Sequence, residues 1–146
     1  MRALIQRVLR AEVLVEKRVI GEIGKGILVF FGVGHDDGPE KIELLVKKIL
    51  NLRIFGDKND KMNLSVQDAG GEILVVPQFT LYADTRKGNR PSFGEAAEPK
   101  AAHEMYTKTV EKLEKLYPGR IQQGRFGADM QVSLVNDGPV TIMLEV

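Results

Sequence analysis

Two short stretches in this sequence stand out for polar side chains, amides and hydroxyls, that could donate or accept hydrogen bonds at a site. The first, Pro77-Gln78-Phe79-Thr80-Leu81, closes the apolar run from Glu72 to Tyr82. On a central strand, alternation would put the Gln78 amide and the Thr80 hydroxyl on one face. The bland reading is a strand edge leaving the core, since polar residues commonly end strands. The second stretch, Asn136-Asp137-Gly138-Pro139-Val140-Thr141, sets an amide, a carboxylate and a hydroxyl around a Gly-Pro bond. Its bland reading is an ordinary hairpin turn.

Other chemistries find less support. His35 and His103 stand far apart and read as surface residues. Ser65, Ser92 and Ser133 lack the G-x-S-x-G setting of a nucleophile elbow. Gly32-Val33-Gly34 is an incomplete dinucleotide fingerprint, because Asp37 occupies the place of the third glycine. Gly24-Lys25-Gly26 lacks the spacing and the Ser or Thr of a phosphate loop. In Asp57-Lys58-Asn59-Asp60, Met62 replaces the turn glycine of a calcium loop. With no cysteine, thiolate nucleophiles, disulfides and zinc–thiolate sites fall away together. No metal and no cofactor are therefore expected, and a metal-dependent hydrolase using His35 with Asp36 or Asp37 is kept only as an alternative.

The elements that must position these stretches are legible from periodicity. The length of 146 residues suits one domain spanning 1–146 with its own core, and 43% hydrophobic with 28% charged residues is a globular balance. Charges interrupt the apolar residues between Met1 and Gly21, leaving no signal peptide or membrane span and an expected cytoplasmic address. A net charge of +1 gives no broad field for nucleic acid, so RNA binding would need local basic clusters or shape. Strands are expected over Ala3 to Val8, Glu12 to Val15 and Gly26 to Val33, with Glu16-Lys17-Arg18 as a hairpin tip. After Pro39, residues Ile42, Leu45, Val46 and Ile49 follow helical spacing. A turn-rich stretch from Gly56 to Lys61 leads to a short strand near Leu64 to Val66. Asp84 to Glu98 reads as a long irregular loop. Pro99 opens a second helix with Ala102, Met105, Tyr106, Thr109, Leu113 and Leu116 on one face, stopped by Pro118-Gly119. Two strands, Gln131 to Val135 and Val140 to Val146, then alternate about Asn136-Asp137-Gly138-Pro139. The expected architecture is α+β: a largely antiparallel or mixed sheet, barrel-like or two-layered, covered by two main helices.

In this order, the two polar stretches resemble the signatures S-Q-F-T-L and N-x-G-P-V-T of the D-aminoacyl-tRNA deacylase family. Segments along the whole chain are similar too: Ala3-Leu4-Ile5-Gln6-Arg7-Val8, Arg53-Ile54-Phe55, Lys61-Met62-Asn63-Leu64, Arg90-Pro91-Ser92-Phe93, and Gly124 to Met130. The resemblance implies hydrolysis of the ester joining a D-amino acid, or glycine, to the 3′ end of tRNA. It further implies a homodimer in which a cis Gly138-Pro139 peptide of one subunit enters the partner's active site. Two carbonyl oxygens pointing the same way would hold the substrate ammonium, and an L side chain would run into that backbone. Asn136 and Thr141 would support the motif, with Arg7 holding it from beneath.

Catalysis in such a site needs little from the protein. Positioning a water and stabilising an oxyanion could suffice, with the 2′-hydroxyl of the terminal adenosine assisting, as the resemblance implies. Gln78, Phe79 and Thr80 would be the catalytic residues, Gln78 orienting the ester or ribose, Thr80 and the Phe79 and Thr80 N–H groups donating. Thr80 as a covalent nucleophile stays open. Phe79 and Phe126 could wall the adenosine, or be core; Arg86, Lys87 and Arg90 could meet phosphates, or be a solvated loop. DNA and membrane partners are not expected. The family's serine is Pro77 here, which removes a hydroxyl and an N–H. A non-catalytic tRNA-binding dimer is therefore the competing reading.

Overall fold

The computed structural model describes all 146 residues. Strand β1 (Arg2–Val15) runs unbroken through both expected N-terminal strands, then turns at Glu16 and Lys17, both at positive φ, into β2 (Arg18–Ile23). Paired left-handed residues match the twist of a tight hairpin. Strand β3 (Gly26–Gly32) leads to helix α1 (Glu40–Asn51), which buries Ile42, Leu45, Val46 and Ile49 as their spacing requires. A small hairpin, β4 (Phe55–Gly56) with β5 (Met62–Leu64), precedes β6 (Glu72–Pro77). Helix α2 (Pro99–Leu116), β7 (Ile121–Gln123) and β8 (Gln131–Glu145) complete the chain. The short β5 begins earlier than the expected strand, and β7 carried no strand signal of its own.

The main sheet is mixed, in the order β2-β1-β3-β6-β7, with β8 paired along β1. Strands β3, β6 and β7 are parallel; β1 is antiparallel to β2, β3 and β8. β2 curls back towards β7 so closely that a Cβ on Gly21 would sit 2.9 Å from the Gln123 carbonyl oxygen. The sheet thus approaches a closed barrel. Its two faces bury separate clusters. Ile5, Ile27, Val29, Phe31, Ile73 and Val75 pack against both helices, whereas Val8, Val13, Leu28, Leu74 and Val76 fill the barrel interior. Burial on both faces explains why β3 and β6 read as unbroken apolar runs. Each fully buried Ile or Leu there contributes about 2 kcal/mol of transfer free energy.

Three expectations need correction. The apolar run from Glu72 does not continue as a strand to Tyr82: β6 stops at Pro77, and Phe79–Tyr82 form a 3-10 turn. Pro77 lacks the N–H that would carry the ladder on towards β7, while Gln78 makes a last bond to Phe31 on β3. The C-terminal stretch is not a hairpin. β8 is one strand whose two halves both pair with β1, and Asn136 to Thr141 form a bulge opposite Gln6 to Val8, where the register shifts. A turn signal flanked by strands that share one partner makes a bulge instead of a reversal. Leu116 is 42% exposed, and Val110 takes the buried place in α2. No helix is long and apolar enough to cross a membrane.

Candidate active site

The 3-10 turn sits at the C-terminal end of β6. Gln78 is the hinge: its N–H donates to the Phe31 carbonyl at 2.7 Å, tying the turn to β3. Its side-chain amide donates to the Thr80 hydroxyl, so the pair meets through the turn and not through strand alternation. The Thr80 oxygen is thereby oriented while its own hydrogen remains free to donate. As the first residues of the turn, Phe79 and Thr80 have N–H groups with no acceptor inside it.

Beside the turn opens a cavity of about 630 Å³ lined by Gln78, Phe79, Phe93, Ala102, Phe126 and Met130 among others. Its walls come from β6, the long loop, the first turn of α2 and the segment after β7. Phe79, 57% exposed, meets Phe93 edge-on at 5.0 Å. Phe126 is stacked on His103 at 4.7 Å and tilts against Tyr106 at 6.1 Å. Tyr106 is buried, and its hydroxyl reaches the carbonyls of Val75 and Gly124 at 3.0 and 3.1 Å, fixing the β6–β7 side of the cavity. Burial pushes its phenol well above the ordinary value. Gln78 and Phe79 line the cavity and Thr80 borders them without lining it.

The bulge builds a different kind of site. The Gly138-Pro139 peptide is cis, and Gly138 holds φ +120°, a region that L side chains rarely enter. Arg7 lies under it: Nε donates to the Asp137 carbonyl at 3.2 Å and pairs with its carboxylate at 3.1 Å, while Nη1 donates to the Ile54 carbonyl at 2.5 Å. Asn136 donates to the carbonyls of Arg7 and Val140, both at 2.9 Å, and accepts from the Thr141 hydroxyl at 3.2 Å. Arg7 and Asn136 bond the backbone directly and Thr141 acts through Asn136, and the dipeptide borders its own polar cavity of about 520 Å³ with Arg7, Lys25 and Met62. That cavity shares no residue with the first. Along β1, Ala3 faces Phe31 beside the turn, while the bulge lies three to five residues further on, about 10–17 Å away. Within one chain, therefore, the two sequence motifs do not meet.

The basic loop residues differ among themselves. Arg86 forks onto Asp84 at 2.8 and 2.9 Å, and its bonds hold the Asp84 carboxyl down at about 2. Lys87 and Arg90 are exposed and form no ion pair. His35, with Asp36 and Glu95 nearby, belongs to no cluster of three acidic or imidazole groups able to hold a metal. Sequence reasoning missed Ala102, which read as core by spacing, and Met130, which carried no signal beyond the family-like segment, as cavity walls. It also missed Arg2 and Tyr82, and weighed Asp37 only as a metal ligand; the three surround the back of the turn.

Known proteins are similar to this chain over nearly its whole length. The family described as D-Tyr-tRNA(Tyr) deacylase matches residues 4–145. A D-aminoacyl-tRNA deacylase of Thermosipho africanus is 55% identical over 145 residues, covering 99% of this chain and 97% of the relative. One from Haemophilus influenzae is 56% identical over 144 residues, covering 99% of each. Among solved structures, one described as c-Myc DNA Unwinding Element Binding Protein superposes with a TM-score of 0.96 at 46% identity, over 100% of this chain and 99% of that one. Another, of a probable eukaryotic D-amino acid tRNA deacylase, shares the fold with a TM-score of 0.84 at 19% identity, over 99% and 98%. A full-length match to the family and more than half of the residues shared with its bacterial relatives leave one assignment: the chain belongs to the D-Tyr-tRNA(Tyr) deacylase family.

Proposed function

We propose that this protein is a D-aminoacyl-tRNA deacylase acting as a homodimer, with the Gln78–Thr80 turn performing hydrolysis and the partner's Gly138-Pro139 backbone judging chirality. The observation that carries the reading is a turn with free N–H groups and a polarised Gln78–Thr80 pair, opening on an aromatic cavity. An aminoacyl ester is activated by its neighbouring ribose hydroxyl. Water adds to the ester carbonyl, the oxyanion takes hydrogen bonds from Thr80 and the turn N–H groups, and the 3′ oxygen leaves with a proton. Gln78 orients the ester or ribose, and the 2′-hydroxyl of the terminal adenosine assists. Phe126, already backed by His103, offers a face to that adenine. Lys87 and Arg90 carry unpaired charge for the adjoining phosphates; Arg86 shares its charge with Asp84.

Three features support the dimer. The turn and the dipeptide lie too far apart to act on one substrate within a chain. The chain exposes 8579 Å², against about 7,400 Å² expected for a compact monomer of its mass, an excess of the order that one partner buries in a standard interface. Large apolar side chains, Leu9, Val135 and Met143, stand 53%, 37% and 45% exposed on β1 and β8. In the dimer, an L side chain would strike the dipeptide while a D side chain points away, and glycine, having none, is also hydrolysed. Cytoplasmic tRNA is the matching substrate pool.

Pro77 favours one rival, a tRNA-binding dimer without turnover. Incubation with D-tyrosyl-tRNA and L-tyrosyl-tRNA separates the two: release of tyrosine from the D ester alone is expected, and binding of both without release would establish the rival. Full activity in excess chelator is expected as well, and its loss would point to a metal at His35.

A further inference from the structure

Behind the 3-10 turn lies an arrangement with no role in the mechanism so far. The Tyr82 hydroxyl donates to Asp37 Oδ2 at 3.0 Å, and its ring lies under the Arg2 guanidinium at 4.5 Å. Arg2 Nη1 donates to the Leu81 carbonyl at 2.8 Å, inside the turn itself. The Asp37 side chain is only 5% exposed and also receives the Gly34 N–H at 2.7 Å, Lys41 Nζ at 2.7 Å and the Met1 ammonium at 2.6 Å. The carboxylate is therefore fixed from several directions and makes a stiff anchor for Tyr82.

The backbone is cut to fit. A Cβ on Gly34 would fall 2.8 Å from the Tyr82 ring, and one on Gly32 would fall 2.9 Å from the Gln78 carbonyl oxygen. A side chain at Gly32 would press on the Gln78 backbone, and one at Gly34 would displace the Tyr82 ring. Gly32-Val33-Gly34 thus has a use unrelated to a dinucleotide: it is the surface on which the turn rests.

We propose that Arg2, Tyr82 and Asp37 are positioning residues for deacylation, clamping the turn from behind so that Gln78, Thr80 and the free N–H groups keep their aim at the ester. None of the three residues lines either cavity, so the clamp acts on the chemical step and not on tRNA affinity. Displacing reacting groups by about 1 Å can cost 10²-fold in rate. This proposal rests on the assignment of catalysis to Gln78–Thr80.

The test is single-turnover deacylation of D-tyrosyl-tRNA by the full chain carrying Tyr82→Phe, Arg2→Met or Arg2→Lys, beside Gln78→Ala and Thr80→Ala. Tyr82→Phe keeps the ring on Gly34 and removes only the bond to Asp37. Tyr82→Phe and Arg2→Met are expected to lower kcat by about 10-fold or more, with KM within twofold. Arg2→Lys, which can still reach the Leu81 carbonyl, recovers most of the rate. Thermal unfolding of each variant shows that the protein remains folded at the assay temperature. A rise in KM at unchanged kcat, unchanged rates in both clamp variants, or no recovery with Arg2→Lys overturns the clamp. If Gln78→Ala and Thr80→Ala both keep wild-type rates, the catalytic assignment falls and the clamp with it; if they lose activity and the clamp variants do not, the clamp alone is wrong.

Discussion

The turn at Gln78 and the bulge at Gly138 differ in what their side chains do. At the turn, Gln78 and Thr80 present polar atoms outward beside an aromatic cavity, and structural bonds come from behind, through Arg2, Tyr82 and Asp37. At the bulge, Arg7 and Asn136 are engaged in holding the backbone, with the exposed Thr141 donating to Asn136, and the Gly138-Pro139 backbone borders the cavity. On the proposed function, the difference is between an element kept for reactivity and one kept for selection. Reactive groups can be exposed and still aimed, provided their element is braced. A backbone proposed to exclude one mirror image has to be rigid, and the hydrogen bonds of Arg7 and Asn136 supply that rigidity.

The contrast can be broken most severely at Arg7. Its guanidinium is 15% exposed and paired with Asp137, and removing one partner of such a pair costs about 3 kcal/mol. Arg7→Met is therefore expected to lower the unfolding free energy by that order and to raise hydrolysis of L-tyrosyl-tRNA. Gln78→Ala, by comparison, should abolish most of the rate while unfolding within about 0.5 kcal/mol of wild type. Denaturant titrations of both variants check the pair; equal destabilisation would erase the distinction.

Acid provides the next test, at the brace of the turn. Burial opposes ionisation of Asp37, but bonds from Lys41, the Met1 ammonium, Gly34 and Tyr82 outweigh it and hold the carboxyl at about 2. An unfolded aspartate titrates near 3.9, so the native state binds its proton later on acidification. Stabilisation of about 2 kcal/mol is then complete above about pH 5 and drains as pH falls from about 4 through 2. Asp37→Asn should flatten that acid limb of the stability curve, measured by urea unfolding across the range. An unchanged limb would remove Asp37 from the account of the brace.

Smaller effects sharpen the comparison further. Pro77→Ser restores the family's hydroxyl without touching Gln78 or Thr80, and the deacylation rate should stay within about tenfold, or 1.4 kcal/mol of barrier. A larger gain would make the serine a catalytic group. At the loop, Lys87→Gln and Arg90→Gln should each reduce the slope of log affinity for aminoacyl-tRNA against log salt by about 0.7. Arg86→Gln should change it less, because Asp84 already occupies that guanidinium. Equal slopes for all three would show that Asp84 releases Arg86 on binding.

The sequence by itself determined the elements whose signals are local. The spacing of Ile42, Leu45, Val46 and Ile49 sets one helix, that of Ala102, Met105 and Tyr106 another, and the turn residues Glu16 and Lys17 set the first hairpin. It also singled out both polar stretches by residue type. Only the tertiary structure decided that Glu72 to Tyr82 breaks at Pro77, and that Asn136 to Thr141 bulges from a continuous strand. It alone joined Arg2, Asp37 and Tyr82, which lie up to 80 positions apart, across Gly32 and Gly34. The physical reason is the range of the signal. Periodicity and turn chemistry act over a few residues, whereas a bulge depends on which strand lies alongside, and a brace depends on distant side chains meeting where two backbones come close.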